Sequence, residues 1–130
     1  MIFVPPARQQ AQLHQQFKRL IRSSDYRRIY RQGCRLAGAY LRFYYAPNPT
    51  KYFRLGVTVS KRISKKATER NWYKRVIKEW FWQHAFFVPK SFGDIVIVVN
   101  KAVCVTPQGS AKLRKELAQL NQQMVRKNPL

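Results

Sequence analysis

The segment Ser60 to Trp82, SKRISKKATERNWYKRVIKEWFW, leaves this chain few ways to fold. Set on a wheel of about 100° per residue, Tyr73, Val76, Ile77 and Trp80 share one arc, with Trp72 and Phe81 at its edges. Arg70, Asn71, Lys74, Arg75 and Lys78 fill the opposite arc. A helix of this kind must bury its apolar side against a core and hold its cations outward at fixed spacing. Solvated helices commonly balance such charge with acids one turn away, but here eight Lys or Arg face only Glu69 and Glu79. The ligand that suits this face is a polyanion.

The rest of the chain repeats the imbalance. Its 130 residues carry 26 Lys or Arg against 5 acids, a formal net charge of +21. Self-repulsion on that scale calls for an anionic partner, with nucleic acid first and an anionic membrane second. The longest apolar run, Ile95 to Val99, is far short of the roughly 20 residues that span a bilayer, so no membrane partner is expected. The start MIFVPPAR has neither a charged n-region nor an apolar h-region, and a cytoplasmic location is expected. Cys34 and Cys104 lie far apart, with no CxxC and no nearby His. They read as reduced structural thiols rather than metal ligands.

Pattern along the chain predicts a single domain over 20–127, with a mobile arm at 1–19 and a tail at 128–130. The arm mixes prolines and glutamines without an apolar period. A Ser23 cap, Asp25, then Tyr26, Ile29 and Tyr30 at helical spacing before Gly33 predict a short helix over about 24–31. Ala39 to Ala46 alternates, placing Leu41, Phe43 and Tyr45 on one face and Tyr40, Arg42 and Tyr44 on the other. After Pro47-Asn48-Pro49, a strand over Tyr52 to Ser60 points Phe53, Leu55, Val57 and Val59 one way and Arg54, Gly56 and Thr58 the other. Ser64 is expected to cap the basic helix, which runs to about His84 ahead of Pro89. The β-branched run in DIVIVVN predicts a central strand buried on both faces. Thr106 and Pro107 open a last helix whose Leu113, Leu117, Leu120 and Met124 form a core stripe. The order α-β-β-α-β-α, with one strand open to being split by a bend, predicts an α+β two-layer sandwich of helices on a mixed sheet.

The residues needed for protein-borne hydrolysis are missing in pattern. Asp25, Glu69, Glu79, Asp94 and Glu116 fall on separate elements, whereas a two-metal phosphodiesterase needs several carboxylates converging on ions roughly 4 Å apart. His14 falls in the arm and His84 at a helix end. No glycine-rich phosphate loop and no Ser or Cys with a His partner is visible. The chain reads as a binder, with no catalytic residue and no metal site of its own.

The run Val59, Ser60, Lys61, Arg62, Ala67, Glu69, Arg70, Asn71, Lys74, Arg75, Lys78, Glu79 and Phe81 resembles the signature helix of the bacterial ribonuclease P protein subunit. SSDYRRIYRQG, YFRLGVTVS and GDIVIVV stand in that family's order, so the resemblance covers roughly 18–127. It implies a left-handed βαβ crossover through the signature helix, against the usual right-handed preference. It also implies a ribonucleoprotein endoribonuclease in which a catalytic RNA, binding Mg²⁺, removes the 5′ leader of precursor tRNA. The protein, itself without cofactor, would broaden substrate use and lower the metal requirement. Carried over, catalytic-RNA contacts fall to Lys61, Arg62, Lys65, Lys66, Arg70, Asn71, Lys74, Arg75 and Lys78. The leader cleft falls to Tyr26, Tyr30 and Tyr44, with Arg42 beside them. Trp72 and Trp82 stand where the family commonly has basic residues. The alternative class is a ribosomal or nucleoid structural protein. A helix-turn-helix DNA reader is disfavoured because a strand precedes the basic helix, and an autonomous nuclease by the scattered acids.

Overall fold

The structure, a computed structural model, describes residues 17–48, 53–84 and 93–127. These form strands β1 (Phe17–Arg19), β2 (Cys34–Ala37), β3 (Leu41–Pro47), β4 (Phe53–Thr58) and β5 (Gly93–Val99), and helices α1 (Ser23–Gln32), α2 (Ala67–His84) and α3 (Pro107–Lys127). The strands lie in the order β1-β4-β5-β3-β2. The β-branched run is thus the middle strand, parallel to β4 and antiparallel to β3. The mixed α+β architecture is the expected one, and α2 is the crossover between the adjacent parallel strands β4 and β5.

Two apolar layers sandwich the sheet. On one face α2 and α3 close the main core with Tyr73, Val76, Ile77, Trp80, Phe81, Leu113, Leu117, Leu120 and Met124 over Leu41, Phe43, Tyr45, Phe53, Leu55, Ile95 and Ile97. These are the arcs that helical and strand periodicity assign to the interior. On the other face the smaller α1 covers a second cluster of Leu20, Ile29, Tyr44, Ala46 and Val96. Both sides of β5 are therefore sealed, as a continuous apolar run requires.

Buried polar groups fix how the layers sit. The Tyr73 hydroxyl donates to the Val103 carbonyl at 2.9 Å and accepts from its N–H at 3.0 Å, tying α2 to the segment before α3. The buried Glu116 carboxylate on α3 accepts from the N–H groups of Ala39, Tyr40 and Leu41 at 2.6, 2.8 and 2.6 Å. Gly38 makes room for that carboxylate, since a Cβ there would meet it at 2.4 Å.

Several expectations are corrected. Phe17–Arg19, assigned to the mobile arm, pairs in parallel with β4 from Phe17↔Phe53 to Arg19↔Leu55. Three residues are too few to carry an alternation, and the partner that recruits them is remote in sequence. The rest of the arm, the tail 128–130 and Pro89 lie outside the described residues. Cys34–Ala37 forms a separate strand antiparallel to β3. Ser23 is the first residue of α1, and Arg22 occupies the cap position without a side-chain bond. Ser64 precedes α2 by three positions. Its hydroxyl accepts from the Lys66 N–H at 3.3 Å and donates to Glu69 at 2.9 Å, bracing the turn that leads into the helix. Tyr40 precedes β3 and packs on the main core rather than beside Arg42 and Tyr44. Glu116 and the bonds from Asn100 and Lys101 to the Tyr40 carbonyl hold it there. Cys104 is exposed, while Cys34 is half-buried against the main core, and both are free thiols.

Candidate nucleic-acid interface

The basic side of α2 and the turn before it form one surface. Lys61, Arg62, Lys65 and Lys66 are exposed on the turn, and Asn71 and Arg75 on the helix. Arg70, Lys74 and Lys78 are half-buried along its flanks. Ile63 packs on the core and anchors the turn from below. Arg70 anchors it from the helix, its guanidinium donating to the carbonyls of Ser64 at 3.0 Å and Lys65 at 2.9 Å. One cation of the expected docking set is therefore committed to presenting four others. Trp72 leans on the core, edge-on to Tyr73 at 5.0 Å. With Val105 and Arg75 it lines a shallow depression at one side of the cationic face.

Lys78 is crowded. Burial pushes its pKa below the ordinary 10.5, and the nearby Arg19 and Lys74 push it further in the same direction. A bound phosphate would reverse the last two effects.

The second surface is the sheet face beneath α1. Tyr26 lies over Gly56 of β4, where a Cβ would meet the tyrosine oxygen at 2.2 Å. Its hydroxyl donates to the Leu20 carbonyl at 3.1 Å. Burial raises the pKa of that hydroxyl, the neighbouring Tyr30 raises it further, and Arg19 opposes them. One turn on, Tyr30 is 42 % exposed and stands edge-on over Tyr44 with ring centres 5.0 Å apart. Tyr44 is only 8 % exposed, so it supports Tyr30 more than it offers a face of its own. Arg42 is half-buried on β3, two residues before Tyr44 and opposite Val98. The four residues expected in the cleft thus share the face covered by α1, with Tyr30 as the open aromatic surface.

A polar network holds α1 in place. Asp94, fully buried, accepts from Arg54 Nε at 2.6 Å and Nη2 at 2.7 Å, from Asn48 Nδ2 at 2.8 Å, and from the Arg28 guanidinium. Asp25 adds a contact to Arg54 at 3.5 Å. Two acids that look scattered in sequence therefore meet around two arginines. A bidentate Arg pair and an amide donor satisfy the buried carboxylate, so it stays a structural group. Among the described residues no group of three or more His, Cys, Asp or Glu could hold a metal ion. No helix among them is long and apolar enough to cross a membrane.

Sequence reasoning missed Lys18 and Arg19, which β1 places beside α2, because they read as part of the arm. The only available signal was the apolar Leu20 and Ile21 that follow them.

The family model described as Ribonuclease P matches residues 14–125. Proteins named ribonuclease P protein component are similar in sequence. The one from Coxiella burnetii is 40% identical over 63% of this chain and 66% of its own length. The one from Clostridioides difficile is 42% identical over 64% and 72%. The solved RNase P protein of Staphylococcus aureus has a TM-score of 0.69 at 26% identity, over 82% of this chain and 94% of that one. That of Thermotoga maritima has a TM-score of 0.65 at 26% identity, over 82% and 96%.

Proposed function

The chain belongs to the ribonuclease P protein family, and from that premise we propose that it docks on a catalytic RNA through α2 and holds the single-stranded 5′ leader of precursor tRNA against α1 and the sheet. As the protein component of ribonuclease P, it takes part in tRNA 5′ processing. The observation that carries the finer reading is the division of its surface. A rigid cationic rod lies on one side of the edge strand, and an open tyrosine backed by a second ring lies on the other.

Each surface suits a different task. Cations at fixed spacing contact phosphates, setting register without reading bases. Aromatic faces beside cations hold unpaired bases with little sequence preference. Four of the five acids are engaged within the fold, Asp25 and Asp94 with arginines, Glu116 with backbone N–H groups and Glu69 with the Ser64 hydroxyl, which supports a protein that supplies no catalytic carboxylate. On this reading phosphodiester hydrolysis belongs to the RNA and the Mg²⁺ it binds. The protein lowers the Mg²⁺ requirement by neutralising phosphates where two RNAs approach.

RNA co-purified with the protein should cleave a tRNA precursor once reconstituted, with less Mg²⁺ than the RNA alone needs, while protein stripped of RNA should not cleave. A co-purified mixture of ribosomal RNAs without processing activity would favour a ribosomal role. Cleavage by the stripped protein would overturn the RNA-borne site.

A further inference from the structure

Only two large aromatic side chains among the described residues are strongly exposed, and the function above uses one of them. The other is Trp82, 45 % exposed near the C-terminal end of α2. It lines a cavity of about 230 Å³ together with Lys18, Arg19, Leu55 and Lys78. At Arg19, Leu55 and Lys78 this cavity meets a second depression, which reaches Tyr26 and Gly56. Sharing these three residues, the two depressions form a trough past the β1 edge of the sheet, from Tyr26 on α1 to the indole on α2. Its floor is apolar Leu55, its walls are cations, and each end is aromatic.

We propose that Trp82, Lys18, Arg19 and Lys78 form a subsite for one unpaired ribonucleotide, its base against the indole and its phosphate among the three cations. An indole is a broad stacking surface, and stacking beside cations is how single-stranded nucleic acid is held without base readout. Burial depresses the Lys78 pKa and repulsion from Arg19 and Lys74 depresses it further, so a phosphate arriving there relieves the like-charge part. Glu79 borders a neighbouring depression shared with Trp82 and Lys78, and one carboxylate leaves the cluster net positive. The nucleotide has two sources, the precursor's leader running on past Tyr26 or an unstacked residue of the catalytic RNA docked on α2. The proposal rests on the RNA-docking reading given above.

The test uses the full chain reconstituted with its catalytic RNA. It compares Trp82→Ala, Trp82→Phe and the double variant Lys74→Glu/Arg75→Glu. Affinity is measured for the catalytic RNA, and for precursor tRNAs with a short and a long leader, under conditions where each variant is folded by circular dichroism. Trp82→Ala should weaken one of these bindings at least about fivefold with the salt slope unchanged, and Phe should restore most of the loss. A loss confined to the long leader assigns the nucleotide to the precursor. A loss in catalytic-RNA affinity that ignores leader length assigns it to the catalytic RNA. If Trp82→Ala binds every RNA like the parent while the double variant fails to assemble, the subsite is wrong and the docking reading stands. If the double variant also assembles normally, the docking reading falls with it.

Discussion

Tyr26 and Tyr30 lie one helical turn apart and do different work, which only their surroundings reveal. Tyr26 is held over Gly56 with its hydroxyl on the Leu20 carbonyl, whereas Tyr30 keeps an open face. Replacing Tyr30 with Ala should weaken holoenzyme binding of precursor tRNA by about 1 to 3 kcal/mol and leave mature tRNA nearly unaffected. Equal losses for both RNAs in a folded variant would remove Tyr30 from the leader site. Lys78 gives a second residue-scale prediction. Its pKa is depressed in the folded state, so between that value and 10.5 the unfolded chain holds more protons, and stability rises with pH through that window. Below the window the charged Lys78 is a burden on the free protein. Lys78→Gln should therefore raise the melting temperature at low salt and neutral pH, flatten the rise towards alkaline pH, and weaken RNA binding. A lower melting temperature would show that the side chain's packing outweighs the repulsion. The tyrosine spacing was readable in the sequence. That Gly56 would sit under Tyr26 and Tyr44 under Tyr30 was not, because those pairings arise only when α1 crosses β4 and β3.

At the scale of elements, α2 was the most legible part of the chain, since 18 residues give the apolar period several turns to repeat. Its entry was less legible. Side-chain capping is a matter of one hydrogen bond, and Ser64 spends its bond on the preceding turn and Glu69. Strand β1 was illegible for a different reason: its stability comes from β4, not from its own composition. The two sides of α2 should respond differently to substitution. Ile77 is fully buried, and Ile77→Ala should cost about 3 kcal/mol in denaturant unfolding with RNA affinity per folded molecule unchanged. Arg75→Glu should leave the unfolding midpoint in place while lowering the salt slope of assembly by about one unit or more. Arg70 belongs to both sides, because losing it frees the Ser64 and Lys65 carbonyls and with them the turn that carries four lysines and arginines. A variant at Arg70 that lost RNA affinity without any change in the protease sensitivity of that turn would contradict this.

For the molecule as a whole, one carboxylate links the layers. Asp94 on the middle strand gathers Arg54 of β4, Arg28 of α1 and Asn48 after β3. Asp94→Ala should destabilise the protein by about 3 kcal/mol, the loss of the charge-assisted bonds by which a fully buried carboxylate holds the half-buried Arg28 and Arg54, read as a fall in the denaturant midpoint. Charge patterning predicted the polyanion surface of this molecule but not its polar interior, because acids distant in sequence give no sign of which arginines they will meet. The position of β5 has a consequence for the newborn chain. The middle strand of the sheet is the last to be synthesised. Until residue 99 is free of the ribosome, β4 and β3 have no neighbour to join them, and the early parallel pair of β1 and β4 has no further strand to extend it. Once His84 has emerged, α2 is complete and carries its full set of cations among ribosomal RNA, while the strand and the last helix that cover its apolar side are still to come. Long-range pairing of this kind is slow to form and exposed to misassembly. Birth rather than maturity is therefore the interval in which this chain is most liable to bind the wrong RNA.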